Sequence, residues 1–180
     1  MDDTTLTCAC GQVSLTLKGP PILSAECACQ SCRKAAKLLH DRLGVDLQEK
    51  NDTTRYVLYR KDRVRIGSGK LAELRLSAKS GTRRVVATCC NTPMFLEITQ
   101  GHWLSVYGKL WPPTTLPALE MRTMVMDHPA PARLSPDVPN PRRHTVRFMA
   151  RLLTAWAAMG FRTPALGTFP PLETDARPGS

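Results

Sequence analysis

The 180-residue chain contains seven cysteines, which fall into three tight groups: TCACGQV, CACQSC and ATCCNTPM. A cysteine that serves only as a small apolar side chain would be scattered among the apolar segments instead. Zinc needs thiolates about 2.3 Å away in a tetrahedral array, and the tight turns of C-x-C and C-x-x-C spacings supply them. The clustering therefore predicts metal binding, with unliganded buried or redox-active thiols as the alternative. The predicted ligands are Cys8, Cys10, Cys27, Cys29, Cys32, Cys89 and Cys90.

The chain is expected to be cytoplasmic. Its start, MDDTTLTC, has neither the basic residues nor the apolar run of a signal peptide. No stretch approaches the roughly 18 apolar residues needed to cross a membrane. In a reducing compartment, clustered cysteines are metal ligands or reactive thiols more often than disulfides.

The chain from residue 5 to about residue 126 predicts a mainly β fold. Residues 13–18 alternate apolar and polar side chains, as in a half-buried strand. Further strands are predicted in RYVLYRKDRVRIGSG, AELRLSA, RRVVATC and MFLEI, with residues 94, 96 and 98 of the last on one face. One short helix is predicted from Arg33 to Leu43, ended by Gly44.

The composition changes after Asp127. HPAPARLSPDVPNP carries five prolines and predicts an ordered crossing or an extended linker. A C-terminal helix follows, ended by Gly160, and its apolar face is expected to dock on the β body. The alternatives for that face are a homodimer contact or a membrane surface. The predicted units are a β domain (1–127), a Pro-rich connection (128–141), the helix (142–162) and a flexible tail (163–180). The apolar positions of the helix are Val146, Met149, Leu153, Trp156 and Ala157.

Three motifs occur in a fixed order along residues 5–107. C-x-C-G comes first, C-x-C-x-x-C-R-K follows some twenty residues later, and a cysteine precedes N-T-P after several strands. This order resembles the glutathione-dependent formaldehyde-activating enzyme family, which includes centromere protein V. The resemblance implies a zinc-bearing β-tent of twisted antiparallel sheets with two metal sites.

The resemblance implies that the second of these sites is held by Cys27, Cys29 and Cys32. Four thiolates close a zinc site, whereas three leave one vertex for water or a substrate. The family's usual histidine between the first two central cysteines is absent, because Ala28 stands there. We expect this site to be catalytic and its zinc to be the more labile.

The structural site departs from the family pattern. Cys8 and Cys10 match its first pair and Cys90 its last cysteine, but the remaining position falls at Ala87. Cys89 stands next to Cys90 instead, and neighbouring strand residues point to opposite faces. Both can share one zinc only if the backbone turns, which the following Asn-Thr-Pro favours. The favoured tetrad is therefore all four cysteines, and the competing interpretation has Cys89 pointing elsewhere.

A three-thiolate site suits the capture of an incoming thiol, which ionises when it binds metal. We expect a carbon–sulfur lyase that makes or breaks a small thiol adduct, such as S-hydroxymethylglutathione from glutathione and formaldehyde. Its catalytic site would be Cys27, Cys29 and Cys32, with Arg33 and Lys34 offsetting part of the negative charge. The formal net charge of +10 also favours glutathione, which carries two carboxylates.

The main alternative is a non-catalytic, zinc-stabilised module that binds nucleic acid or a protein partner. The basic residues are spread along the chain and form no nucleic-acid-reading motif, so nucleic acid is the less favoured partner. A third hypothesis is a redox switch at the vicinal pair Cys89–Cys90, which bound zinc would suppress.

Several other residues receive a structural interpretation. His40 and His102 are predicted at the surface, although either is a candidate fourth ligand. His128 follows an aspartate but precedes a proline in a loop, so catalysis by it is not favoured. Three aromatic residues are expected in the core or lining the site: Trp103, Tyr107 and Trp111.

Overall fold

Short strands separated by turns make up most of residues 3–172, the part of the chain that the structure, a computed structural model, describes. Two α-helices interrupt and follow these strands within that part. The strands are β1 (Thr4–Thr7), β2 (Ser14–Leu17), β3 (Leu23–Cys27), β4 (Thr54–Arg60), β5 (Val64–Ile66), β6 (Leu71–Leu74), β7 (Thr82–Ala87), β8 (Thr92–Ile98), β9 (Trp103–Tyr107) and β10 (Met121–Thr123). The helices are α1 (Gln30–Leu43) and α2 (Val146–Ala157).

The strands form two sheets. A small sheet has the order β1-β2-β5, and a large sheet has the order β10-β3-β4-β9-β8-β7-β6. Neighbouring strands are antiparallel except β10, which runs parallel to β3. The predicted fold class, a mainly β tent with one helix after the central cysteines and one near the C-terminus, is confirmed.

The large sheet separates two apolar cores. On one face, Leu15 and Leu17 of the small sheet pack among buried side chains that include Val57 and Val106. On the other face, side chains of the two helices pack among buried strand residues that include Leu58. Alternating strand residues point to opposite faces, so each central strand contributes to both cores.

Strand β8 contains a β-bulge, which changes the predicted assignment of its faces. Val85 pairs with Phe95 and Val86 with Pro93, so Met94 is an extra residue in β8. Met94 and Phe95 consequently both lie in the core beneath the small sheet, whereas Leu96 lies in the other core. The prediction that residues 94, 96 and 98 share one face is wrong, because one inserted residue inverts the alternation.

Helix α1 begins three residues before the predicted start. Cys29 is its N-cap, and its Sγ accepts a hydrogen bond from the backbone N–H of Cys32 at 3.4 Å. A thiol is not among the usual capping groups, which is why the sequence signal was weak. The predicted end is confirmed, since Gly44 has φ 69° and donates its N–H to the carbonyl of His40.

Helix α2 docks on the β body through a different face from the one predicted. The buried side chains of the helix are Phe148, Leu152 and Ala155. Val146, Met149 and Leu153 are 87%, 52% and 56% exposed. Apolar residues occupy two adjacent stripes of this helix, so helical spacing alone does not select the docked one. The homodimer contact through α2 stays a prediction.

The Pro-rich segment is tied to the large sheet by backbone hydrogen bonds. Arg122 of β10 donates its N–H to Pro139 at 2.9 Å, and Leu134 is buried. Farther on, Glu73 of β6 donates its N–H to Pro170 at 2.8 Å. Residues 173–180 of the predicted flexible tail lie outside the described residues, and the domain boundaries stay predictions. Within residues 3–172, neither helix is both long enough and apolar enough to span a membrane.

A buried ionic cluster lies on the small-sheet side of the large sheet. Glu97 accepts from Lys61 at 2.5 Å and from Arg83 at 2.6 Å, and its side chain is 1% exposed. Replacing Glu97 with Leu would leave Lys61, which is 0% exposed, with only the carbonyls of Ile98 and Thr99. We expect a loss of about 3–5 kcal/mol, because an uncompensated buried charge results.

Urea denaturation measures this loss for the Glu97→Leu variant. The control is Asp41→Asn, which breaks the exposed pair of Asp41 with Lys37 and should change stability by less than about 1 kcal/mol. An equally small effect at Glu97 would contradict the assignment of a stabilising role to the cluster.

Candidate metal centres and the adjoining cavity

The first cysteine cluster joins two turns that are distant in the sequence. Cys8 and Cys10 lie in the turn between β1 and β2. Gly11 closes this turn with φ 79°, a left-handed conformation that glycine adopts without strain, and donates its N–H to the carbonyl of Cys8 at 2.9 Å. Cys89 and Cys90 lie in the turn between β7 and β8. The cluster therefore links the small sheet to the large one.

The backbone does turn after Cys90, since Asn91 has φ 57°. Cys89 therefore faces the first pair, with its Sγ 3.2 Å from that of Cys10 and 3.7 Å from that of Cys8. All four Sγ atoms lie within 4.8 Å of one another and could hold one metal ion.

Neighbouring hydrogen-bond donors lower the pKa of two thiols in this cluster, those of Cys8 and Cys90. Burial raises the pKa of the Cys90 thiol, but the hydroxyl of Thr92, 3.0 Å from its Sγ, and other hydrogen bonds outweigh burial and bring the pKa to about 6. The same hydroxyl oxygen accepts the N–H of Ala9 at 3.0 Å. The N–H of Val13 donates to the Sγ of Cys8 at 3.3 Å. Thiolates are the soft ligands that zinc accepts in closed sites.

The second cluster lies where β3 runs into α1. Cys27 is the last residue of β3, Cys29 is the N-cap of α1, and Cys32 is in the first turn of the helix. Their Sγ atoms lie within 4.8 Å of one another and could hold a second metal ion. The N-terminal end of a helix carries a partial positive charge, which favours anionic sulfur there.

The three thiols of the second cluster differ in their pKa values. Hydrogen bonds from Cys27 and Cys32 and from backbone N–H groups lower the pKa of Cys29 to about 2. The pKa of Cys27 is raised, because its thiol donates to Cys29 and is buried. The hydroxyl of Tyr56 donates to the Sγ of Cys32 at 3.6 Å. Three thiolates this close repel one another, so their joint ionisation requires a cation among them, and a divalent metal fits this donor set.

A cavity of about 370 Å³ adjoins the second cluster on the helix-covered face of the large sheet. The three cysteines form part of its lining, and Arg84, Thr123 and His144 are among its polar residues. Its apolar wall includes Leu58, Leu96, Ile98, Trp103, Phe148 and Leu152. The strands and α2 therefore enclose an apolar space beside three sulfurs.

The sequence did not single out Arg84 or His144. Arg84 is 1% exposed and donates to the hydroxyl of Ser31 at 3.0 Å. His144 lies 2.8 Å from the Thr123 hydroxyl through Nδ1, and its ring stacks on Phe148. Arg84 comes from β7 and His144 from the segment before α2, so only long-range packing brings them to the cavity. The two consecutive arginines of β7 are apparent in the sequence, but no local pattern indicates which groups their side chains contact.

The structure gives the other histidines separate roles. His40 is exposed on α1, as predicted. His102 is 8% exposed rather than at the surface, because its ring stacks on Trp156 and its Nε2 lies 2.8 Å from the carbonyl of Leu152. His128 is buried, with its Nε2 2.9 Å from a backbone carbonyl. Within residues 3–172, neither four- nor three-cysteine group includes a histidine.

The three aromatic candidates also separate. Trp103 lines the cavity. Tyr107 is buried in the core on the same face of the sheet, against Tyr56, and Trp111 is buried in the opposite core. Only the first of them is therefore placed to contact a molecule in the cavity.

A mainly β fold with two helices and two cysteine groups able to hold metal fits the β-tent class of metal-binding proteins. The model of the family described as glutathione-dependent formaldehyde-activating enzyme matches residues 3–42, which include five of the seven cysteines. This segment is similar to that family, in agreement with the resemblance read from the cysteine order.

The other comparisons add little. A crystal structure of a Rhodobacter sphaeroides protein is similar to the chain with a TM-score of 0.44 and 15% identity, over 64% of this chain and 97% of that one. No curated protein matches the chain.

Proposed function

We propose that the protein is a zinc-dependent enzyme of the carbon–sulfur lyase type. It would make or break a small thiol adduct, such as S-hydroxymethylglutathione from glutathione and formaldehyde. The observation that carries the proposal is the group of three cysteines, Cys27, Cys29 and Cys32, in the lining of an apolar cavity. Three protein ligands leave a coordination position for a substrate, whereas a closed site has four.

In this proposal the two cysteine groups divide the work. Cys8, Cys10, Cys89 and Cys90 would hold a structural zinc, since four thiolates complete a tetrahedral site. Cys27, Cys29 and Cys32 would hold the second. Zinc there would supply a binding place at which an incoming thiol ionises. A reducing cytoplasm, in which thiols stay free, suits both groups.

The chain's own residues account for the rest of the chemistry. The apolar wall excludes water and favours a compact substrate. Addition of a thiol to formaldehyde forms a carbon–sulfur bond and converts the carbonyl double bond to a single carbon–oxygen bond. The thiol proton is transferred to that oxygen. We assign that proton transfer to His144: in the tautomer whose Nδ1–H donates to the Thr123 hydroxyl, Nε2 is the acceptor. Partial removal of the ring from water lowers the pKa of His144, which favours the neutral ring as a proton acceptor near pH 7.

Elemental analysis of protein purified without chelators tests the metal part of the proposal. We expect two zincs per chain, falling to one in Cys29→Ser. One zinc per chain in the unmodified protein, with no second after zinc addition, would favour the non-catalytic module instead. Nucleic-acid binding by that module would weaken steeply with added salt.

The activity itself is tested with glutathione and ¹³C-formaldehyde. Exchange between free formaldehyde and the adduct, followed by NMR, should be faster with the protein than without it. Bovine serum albumin at equal thiol concentration controls for simple thiol chemistry. A protein that holds two zincs and leaves the exchange rate unchanged would overturn the proposed reaction.

A further inference from the structure

Arg84 is a buried cation without a balancing carboxylate. Its side chain is 1% exposed, and among residues 3–172 no acidic side chain forms a salt bridge with it. Its Nη2 donates to the hydroxyl of Ser31 at 3.0 Å and to the Ser31 carbonyl at 3.4 Å, whereas Nε and Nη1 have no hydrogen-bond partner among the described residues. A buried charged group left unsatisfied is costly, so its retention needs an explanation.

The neighbouring arginine shows what a structural role looks like in this sheet. Arg83, also in β7, is 5% exposed and pairs with Glu73 at 3.0 Å and with Glu97 at 2.6 Å. Successive strand residues point to opposite faces, so Arg83 serves the small-sheet side and Arg84 faces the cavity. Arg84 Nε and Nη1, which lack partners among the described residues, are therefore part of a side chain that lines the cavity.

The residues that line the cavity indicate what kind of ligand would pair with the Arg84 guanidinium. Among the described residues, it contains one guanidinium, three thiols and no acidic side chain. Guanidinium groups bind carboxylates through two parallel hydrogen bonds. We propose that Arg84 binds the carboxylate of a small thiol acid while the thiol lies at the three-cysteine group. The inference rests on the proposed function, because that function brings the thiol there.

The same lining sets the kind of thiol acid that fits. A volume of about 370 Å³ is small, and most of the wall is apolar. Because none of the carboxylate side chains in residues 3–172 lines the cavity, an ammonium group such as that of glutathione would lie outside it. A compact thiol with one carboxylate and an apolar body satisfies the single cation.

Calorimetric titration of the zinc-loaded full chain tests the inference. The probes are 3-mercaptopropionate and its methyl ester, which differ in the anionic charge. We expect the acid to bind roughly 10- to 100-fold more tightly than the ester, the range for a hydrogen-bonded charge. The ratio should fall to near one in Arg84→Met. Arg147→Met, which removes an exposed arginine of α2 outside the lining, should leave the ratio unchanged.

The outcomes separate the two proposals. Equal binding of acid and ester to the unmodified protein would overturn the role of Arg84 and leave the proposed function standing. Binding of neither would overturn this inference, and the formaldehyde exchange measurement would then decide the proposed function by itself. If Arg84→Met weakened acid and ester equally and lost zinc, Arg84 would merely balance the cysteine charge, which would also overturn it. Should that variant fail to fold, Arg84→Lys, which keeps the charge but loses the paired geometry, should lower the ratio.

Discussion

Replacing Cys8 or Cys90 with Ser should lower the free energy of unfolding by roughly 3–5 kcal/mol, the range reached when a buried structural element such as a metal is lost. Cys8 is 2% exposed, and its sulfur contacts a cysteine 81 residues away. A metal that joined these turns would stabilise the fold, because the unfolded chain has no preformed site. Breaking the link would release the small sheet from the turn between β7 and β8.

Thermal and urea denaturation, with zinc content measured on the same samples, would check this result. Chelator treatment of the unmodified protein should lower its stability in the same direction. The matched control is the same substitution at Cys29, in the second cluster. Unchanged stability of a Cys90→Ser protein that has lost its zinc would show that the first cluster does not stabilise the fold.

Cys29→Ser should lower turnover of the thiol adduct by roughly 10³-fold or more, the scale seen when a group required for the chemistry is removed. The fold should remain nearly intact. Cys29 caps α1 by accepting the N–H of Cys32, and Ser is among the preferred residues at an N-cap. The substitution therefore removes a thiolate from the three-cysteine group and keeps the start of the helix.

Turnover and melting temperature measured on one preparation would check this second result. Cys32→Ser is expected to lower turnover similarly, with a larger loss of stability. Cys32 is 7% exposed, and its Sγ accepts a hydrogen bond from the Tyr56 hydroxyl. If Cys29→Ser destabilised the protein as much as Cys90→Ser, the assignment of separate roles to the two clusters would be wrong. Retained turnover would exclude the three-cysteine group from the reaction.

Local patterns in the sequence predicted most of the strands and both cysteine groups. Spacings such as C-x-C and C-x-x-C concern residues a turn apart, so their geometry is set by the nearby backbone. The turn that brings Cys89 beside Cys10 was also predictable, since Asn91 readily adopts a left-handed conformation. The capping thiol of Cys29 was not, because cysteine is not a usual N-cap.

Contacts between segments that are distant in the sequence determine the features that local patterns do not predict. The docked face of α2 depends on Phe148 and Leu152 meeting the large sheet, although Met149 and Leu153 are equally apolar. The cavity combines six strands (β3, β4, β7, β8, β9 and β10) and both helices, so neither Arg84 nor its apolar surroundings could be read from local spacing. The sequence predicts His102 at the surface, because no residue near it in the sequence indicates that α2 covers it.

The extra residue at Met94 determines which residues of β8 face the cavity, counted from the turn that carries Cys89 and Cys90. Past this residue, Leu96 and Ile98 line the cavity while Glu97 turns away to Lys61 and Arg83. In an uninterrupted strand anchored at the same turn, odd and even positions would exchange sides. Phe95 would then pair with Arg84, and Glu97 would face the cavity opposite Thr82, diagonal to Arg84 and within reach of its guanidinium. The bulge thus leaves Arg84, the one guanidinium that residues 3–172 contribute to the cavity lining, without a glutamate beside it.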